Sequence, residues 1–243
     1  MGRRLLAIVI LIAACARAEA GCVDPATLAH STVSIMRYFD DSEQQARPDL
    51  LGIRATGWFL SPTALVTVDH VATAMNLSEQ GWKEIEIRKG ESKQSIPVRI
   101  QRLAGASAQK IVVLELQAAF SDARGLQLRT EPLVPEEPVV SVAYPGNRLR
   151  VAGGRFVQYG DAGRVAGMAL FELYDGDDRL VLDHGASGAP VLDCAGRAVA
   201  VVSNLFTSVM QFPVGAIRIS TAWGSPNVVS VPIPVLKESA RLD

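Results

Sequence analysis

Along most of the chain, apolar residues fall in short β-rich runs broken by turn residues, with no sustained helical period, no heptads and no low-complexity tract. The first set of candidate strands covers Ser31 to Met36, Thr56 to Leu60, Leu65 to Val68, Glu84 to Arg88, Ser95 to Leu103 and Ile111 to Leu116. A polar, proline-containing stretch from Ser121 to Pro138 follows. The second set covers Val139 to Ala143, Arg155 to Tyr159, Ala169 to Tyr174, Val191 to Leu192, Ala198 to Val202 and Val228 to Ile233. Two strand sets of similar size fit two packed six-stranded antiparallel barrels, because closing a sheet removes its exposed edges. A sandwich is the alternative. Helix is expected only in the N-terminal segment, after His70 and at the C-terminus.

The N-terminal segment reads differently. Arg3 and Arg4 precede an unbroken apolar run from Leu5 to Ala14, and Ala18-Glu19-Ala20 follows, which is the pattern of a secretory signal cleaved after Ala20. Ten apolar residues fall short of the roughly 20 that span a bilayer. A second export reading takes Ile12-Ala13-Ala14-Cys15 as a lipobox, with Cys15 the lipid-modified first residue. The expected organisation is a signal at 1–20 and one unit at 21–243, with barrel one at about 27–120 and barrel two at about 133–236.

Loss of residues 1–20 removes Arg3, Arg4, Arg17 and Glu19, which moves the formal charge from −1 to −3, 21 basic side chains against 24 acidic. With no basic stripe in the chain, nucleic acid is not an expected partner. Of the three cysteines, Cys15 is cut off or lipidated. Cys22 and Cys194 remain as an even pair in an oxidising compartment, read as a disulfide, with two free thiols as the alternative.

The candidate chemistry centres on Gly185-Ala186-Ser187-Gly188-Ala189-Pro190, whose small residues let the backbone turn sharply and expose a nucleophilic hydroxyl. The N–H groups of Gly185 and Ser187 would converge as an oxyanion-stabilising pair. A glycine-rich hairpin is the bland alternative. The nucleophile elbow of α/β-hydrolases does not fit, because Pro190 and a β-rich run follow where that motif needs a helix. Of three histidines, His70 closes a pair of apolar strands, Thr56 to Leu60 and Leu65 to Val68, while His30 and His184 read as structural or surface residues. No H-E-x-x-H or C-x-x-C pattern is present, and neither a metal nor another cofactor is expected.

These residues resemble the chymotrypsin-like (trypsin-like) serine proteases of the bacterial HtrA/Deg style. The resemblance rests on Thr56-Gly57-Trp58-Phe59-Leu60, on Leu65-Val66-Thr67-Val68-Asp69-His70-Val71, on the serine motif with its following hairpin to Val202, and on the closing strand Val228 to Pro234. It runs from about Thr32 to Leu236 and implies His70 as base, Ser187 as nucleophile and Gly185 as oxyanion donor. The 117 positions between His70 and Ser187 suit one catalytic residue from each barrel. The resemblance also implies that Val202-Ser203-Asn204 is the edge on which a peptide pairs, and that Val181 lies at the base of the side-chain pocket unless it merely packs in the barrel.

One position departs from the family. Where an aspartate opens the D-I/L-A-V/L-L run, this chain has Lys110-Ile111-Val112-Val113-Leu114. Shifting the register offers Gln109 or Ala108, which carry no charge. Glu115 falls on the wrong face of a strand, and Asp69 would need an unusual turn to meet the ring. The expected function is therefore an exported serine endopeptidase, weak for want of its acid, acting on polypeptides in the cell envelope or outside the cell. The alternative is a pseudoprotease that binds peptides. No PDZ domain follows the last strand, so an oligomeric cage is not implied.

Overall fold

Strands buried on both faces explain why so many runs are almost continuously apolar. In Pro138–Ala143, Val139 and Ala143 enter one hydrophobic cluster, while Val140 and Val142 enter a second cluster that is continuous with the other half of the molecule. Successive strand residues point to opposite faces, so one short segment lines a barrel interior and also packs against the neighbouring barrel.

The computed structural model describes residues 22, 24, 29–101, 110–162, 165–174, 185–205, 208–212, 215–219 and 226–240. The first closed barrel has the order β1-β2-β3-β6-β5-β4, from β1 (Thr32–Tyr38), β2 (Gly52–Ser61), β3 (Ala64–Val68), β4 (Lys83–Lys89), β5 (Ser92–Gln101) and β6 (Ile111–Leu116). The second has the order β10-β11-β14-β9-β8-β7, from β7 (Pro138–Ala143), β8 (Arg150–Ala162), β9 (Val165–Tyr174), β10 (Pro190–Asp193), β11 (Ala198–Leu205) and β14 (Val228–Pro232). All the pairings within both barrels are antiparallel. The fold is thus the chymotrypsin-like double barrel, and the sandwich alternative falls away.

A hairpin and three α-helices accompany the barrels among the described residues. Between β11 and β14, β12 (Ser208–Phe212) and β13 (Gly215–Ile219) form a separate two-stranded hairpin. Helix α1 (Asp41–Ala46) begins in a capping box, with the Asp40 carboxylate accepting from the Glu43 N–H and Glu43 reaching back to the Asp40 N–H. Helix α2 (Asp69–Ala74) follows β3 directly, and helix α3 (Ile233–Ala240) closes the described chain, both where helix was expected.

The linker is tied to barrel two. Ala198 donates to the Gln127 carbonyl and Arg129 to the Ala198 carbonyl, while the Arg129 guanidinium bonds Glu137 and Asp193. Cys22 and Cys194 are joined as a disulfide, which fastens the N-terminal segment to the β10–β11 turn. The signal at 1–20, with Cys15 and Ala20, lies outside the described residues. No helix among the described residues is long and apolar enough to cross a membrane.

Candidate active site

The serine motif forms a tight turn leading into β10. Ala189 donates to the Ala186 carbonyl at 2.9 Å, and the turn is sewn to β11 by Gly188 N–H to Val202 O and Val202 N–H to Ala189 O, both 2.8 Å. Two glycines are required for conformational reasons, with φ of +102° at Gly185 and +90° at Gly188. Gly188 also meets barrel one so closely that a β-carbon there would overlap the Thr56 carbonyl oxygen and the Thr67 hydroxyl.

That close approach seats the serine turn on barrel one. Thr56, in β2, donates its backbone N–H to the Ser187 carbonyl at 3.0 Å and its hydroxyl to the Gly185 carbonyl at 2.7 Å. Thr67, in β3, donates to the Thr56 carbonyl at 3.1 Å and stands three residues before His70. The carbonyls of Gly185 and Ser187 are therefore held by barrel one, while their N–H groups have no acceptor among the described residues. An unpaired pair of donors beside a serine is what an oxyanion requires.

His70 is the second residue of α2, anchored by buried Val71 and Ala72 behind it. Although His70 keeps an exposed surface, partial withdrawal of its ring from water lowers its pKa from the ordinary 6.5, and the negative charge of Asp69 acts the other way. The Ser187 hydroxyl donates to the Ser203 carbonyl at 3.3 Å, and no hydrogen bond joins it to the His70 ring among the described residues. His30 sits exposed in the short turn before β1, and His184 lies outside the described residues.

Lys110 stands immediately before β6, where its carbonyl accepts from the Asp69 N–H at 3.3 Å, one step beyond the Val68–Ile111 pair. Its ammonium donates to the Ala166 carbonyl of β9 at 2.8 Å, tying barrel one to barrel two, and forms no ion pair with Asp69 among the described residues. Glu115 is engaged by Arg99 across the β5–β6 pair at 2.7 Å. Gln109 and Ala108 lie outside the described residues. Among the described residues, Asp69 is the acid whose charge acts on His70.

Asp69→Asn is accordingly expected to lower the His70 pKa further, because the neighbouring anion favours the imidazolium. Imidazole proton shifts followed through a pH titration measure this; an unchanged or raised value would show that Asp69 does not act on the ring.

The β11–β14 register slips between Val202 and Asn204, which makes Ser203 a bulged residue beside Ser187. Ser203 is buried. β10 pairs β11 only as far as Val201, so beyond the serine turn's contact at Val202 that side of β11 has no described partner strand. Asn204 lies on this strand, and Val181 lies outside the described residues. Thr56 and Thr67 were read from the sequence only as strand residues; their role in holding the serine turn emerges from the packing of the two barrels.

The double barrel with serine and histidine motifs at its junction defines a serine-protease-like protein. A model of the trypsin-like peptidase domain matches residues 55–201, and the chain belongs to that family. Solved structures agree on the fold: the active form of the Rv3671c protease from M. tuberculosis is 15% identical with a TM-score of 0.58, covering 88% of this chain and 81% of that one. Its inactive form gives 15% and 0.56, covering 88% and 89%. Deg5 gives 14% and 0.56, covering 87% and 90%. No curated protein matches the sequence.

Proposed function

We propose that this protein is an exported serine endopeptidase working through a Ser187–His70 dyad, with unassisted and therefore slow chemistry. The observation that carries this reading is the docking of the serine turn on Thr56 of β2 and on Thr67 of β3, the strand that leads into His70, with the N–H groups of Gly185 and Ser187 unpaired among the described residues. His70 takes the proton of the Ser187 hydroxyl as its oxygen bonds to the peptide carbonyl carbon. The carbonyl oxygen becomes an oxyanion facing the two N–H groups. His70 then returns the proton to the leaving amine, the C–N bond breaks, and an acyl-enzyme remains. Water, deprotonated by the same imidazole, hydrolyses that ester.

Substrate binding follows from the free side of β11. An extended polypeptide adds to the strand near Ser203 and Asn204 through backbone hydrogen bonds, with Val181 at the base of the side-chain pocket. The Cys22–Cys194 disulfide supports an extracytoplasmic location, since such bonds persist in oxidising compartments. In this reading the chain is exported by the signal at 1–20 or held as a lipoprotein through Cys15.

The second reading, a peptide-binding pseudoprotease, is favoured by Lys110 at the acid position and by the turn of the Ser187 hydroxyl toward Ser203. Hydrolysis of an unstructured polypeptide by wild type, Ser187→Ala and Lys110→Asp separates the two. A carboxylate at 110 would replace a cation that supports neither imidazole tautomer nor imidazolium. Lys110→Asp is expected to raise turnover by about tenfold or more, a small part of what a complete triad is worth. A folded Lys110→Asp variant with unchanged turnover would show that position 110 does not serve His70. Wild-type turnover equal to that of Ser187→Ala would favour the binding module.

A further inference from the structure

Outside the β-ladder, Thr56 makes four hydrogen bonds among the described residues, and each of these partners belongs to the serine turn or to a segment packed on it. Its backbone N–H holds the Ser187 carbonyl at 3.0 Å and its hydroxyl holds the Gly185 carbonyl at 2.7 Å. The same hydroxyl accepts from the Tyr144 N–H at 3.0 Å, and the Thr56 carbonyl accepts from Thr67 at 3.1 Å. The residue is fully buried. A threonine hydroxyl has one proton to give, and here that proton is committed to Gly185 while a lone pair is committed to Tyr144, so its orientation is fixed.

The two carbonyls it grips bracket the peptide that bears the Ser187 N–H. With the Gly185 and Ser187 carbonyls both held by barrel one, the peptides on either side of the Ser187 N–H are fixed. Gly185 needs this support, because at φ +102° a glycine has wide conformational freedom and no side chain of its own to limit it. The Tyr144 contact adds a brace: Tyr144 and Pro145 backbone atoms stand 3.4 to 3.5 Å from where a β-carbon of Gly185 would be. Valine at position 56 would keep the shape and the backbone bond to Ser187, but release the Gly185 carbonyl and orphan the Tyr144 N–H.

We propose that the Thr56 hydroxyl is a positioning group for the oxyanion-binding turn, acting through the Gly185 carbonyl and not by touching substrate. Its effect on catalysis rests on the peptidase reading above; its effect on the turn does not. In the test, wild type, Thr56→Val and Thr56→Ser are compared for the rate of fluorophosphonate labelling, for kcat and KM on a peptide ester, and for amide hydrogen exchange at Ala186 and Ser187 without substrate. Thr56→Val is expected to label and turn over at least about tenfold more slowly with little change in KM, since small misplacements of transition-state donors cost up to about a hundredfold. Amide exchange in the turn should quicken, and Thr56→Ser should restore all three readouts to within about threefold. If Thr56→Val does not fold, Thr56→Ala supplies the same comparison with a smaller side chain. A folded variant lacking the hydroxyl, with unchanged labelling and exchange, would overturn the proposal. Wild type that fails to label, with exchange still quickened in Thr56→Val, would remove the peptidase reading and leave the clamp standing.

Discussion

Gly188→Ala is expected to destabilise the protein by about 2–6 kcal/mol, the sum of two separate penalties. Holding a non-glycine residue in a left-handed conformation such as φ +90° costs about 1–3 kcal/mol. Forcing a β-carbon into the space held by the Thr56 carbonyl oxygen and the Thr67 hydroxyl costs about another 1–3 kcal/mol, because a backbone oxygen cannot move aside by changing rotamer. Against a native stability of about 5–15 kcal/mol, this removes a large fraction. Gly90→Ala is the matched control: its φ is +57°, but nothing lies within 4 Å of the added carbon, so only strain of about 1–2 kcal/mol remains. Thermal unfolding should place Gly188→Ala about 5–20 °C below wild type and Gly90→Ala a few degrees below. Equal losses in the two variants would mean that the serine turn does not press on barrel one as described.

Removing the disulfide is the second large effect. Cys22 and Cys194 are 172 positions apart, and closing so long a loop stabilises a chain by up to about 5 kcal/mol in the chain-entropy account. The native turn does not depend on the bond. The Asp193 carboxylate accepts from the N–H groups of Ala195 and Arg197 and binds the Arg197 and Arg129 guanidinium groups, so the β10–β11 turn is held from within. The double variant Cys22→Ser/Cys194→Ser is therefore expected to lose several kcal/mol in denaturant titrations, chiefly through a freer unfolded chain. A variant as stable as wild type would contradict this, and non-reducing peptide maps with both thiols free in exported protein would remove its premise.

The barrel strands were legible because burial on both faces makes them nearly continuous apolar runs, as in Ile111–Leu116 and Val139 to Ala143. Their limits were less so. β8 extends over Arg150–Ala162, well beyond Arg155 to Tyr159, because Gly153, Gly154 and Gly160 interrupt the apolar pattern while the strand still pairs β9, with register shifts at Phe156/Gln158 and Gly160/Ala162. Helix α1 went unread although Asp40 and Glu43 spell a capping box, since all its residues but Ala46 are polar and none is buried. The β12–β13 hairpin was also missed; it belongs to neither barrel, so the two-barrel plan gave no reason to look for it.

For the site, local motifs carried the serine turn and the histidine helix, but the connections between barrels left no trace in sequence. The Thr56 hydroxyl reaches partners 129 and 88 positions away, and the Lys110 ammonium reaches a carbonyl 56 positions away. The sequence at Lys110 allowed a cation facing His70, turned to solvent or paired with Asp69; the bond to Ala166 is a fourth arrangement, decided by where β9 passes. Such backbone acceptors have no residue-type signature.

The account stands or falls on whether Ser187 is a nucleophile activated by His70. Fluorophosphonate labelling followed by intact mass and peptide mapping, across a pH series, tests this most directly. Folded wild type is expected to gain one phosphonyl group on Ser187, slowly, with the rate rising through a pKa below 6.5 as the imidazole loses its proton. His70→Ala should slow labelling by orders of magnitude and Ser187→Ala should abolish it. Folded wild type that stays unmodified at neutral pH, or label that survives Ser187→Ala undiminished, would contradict the account.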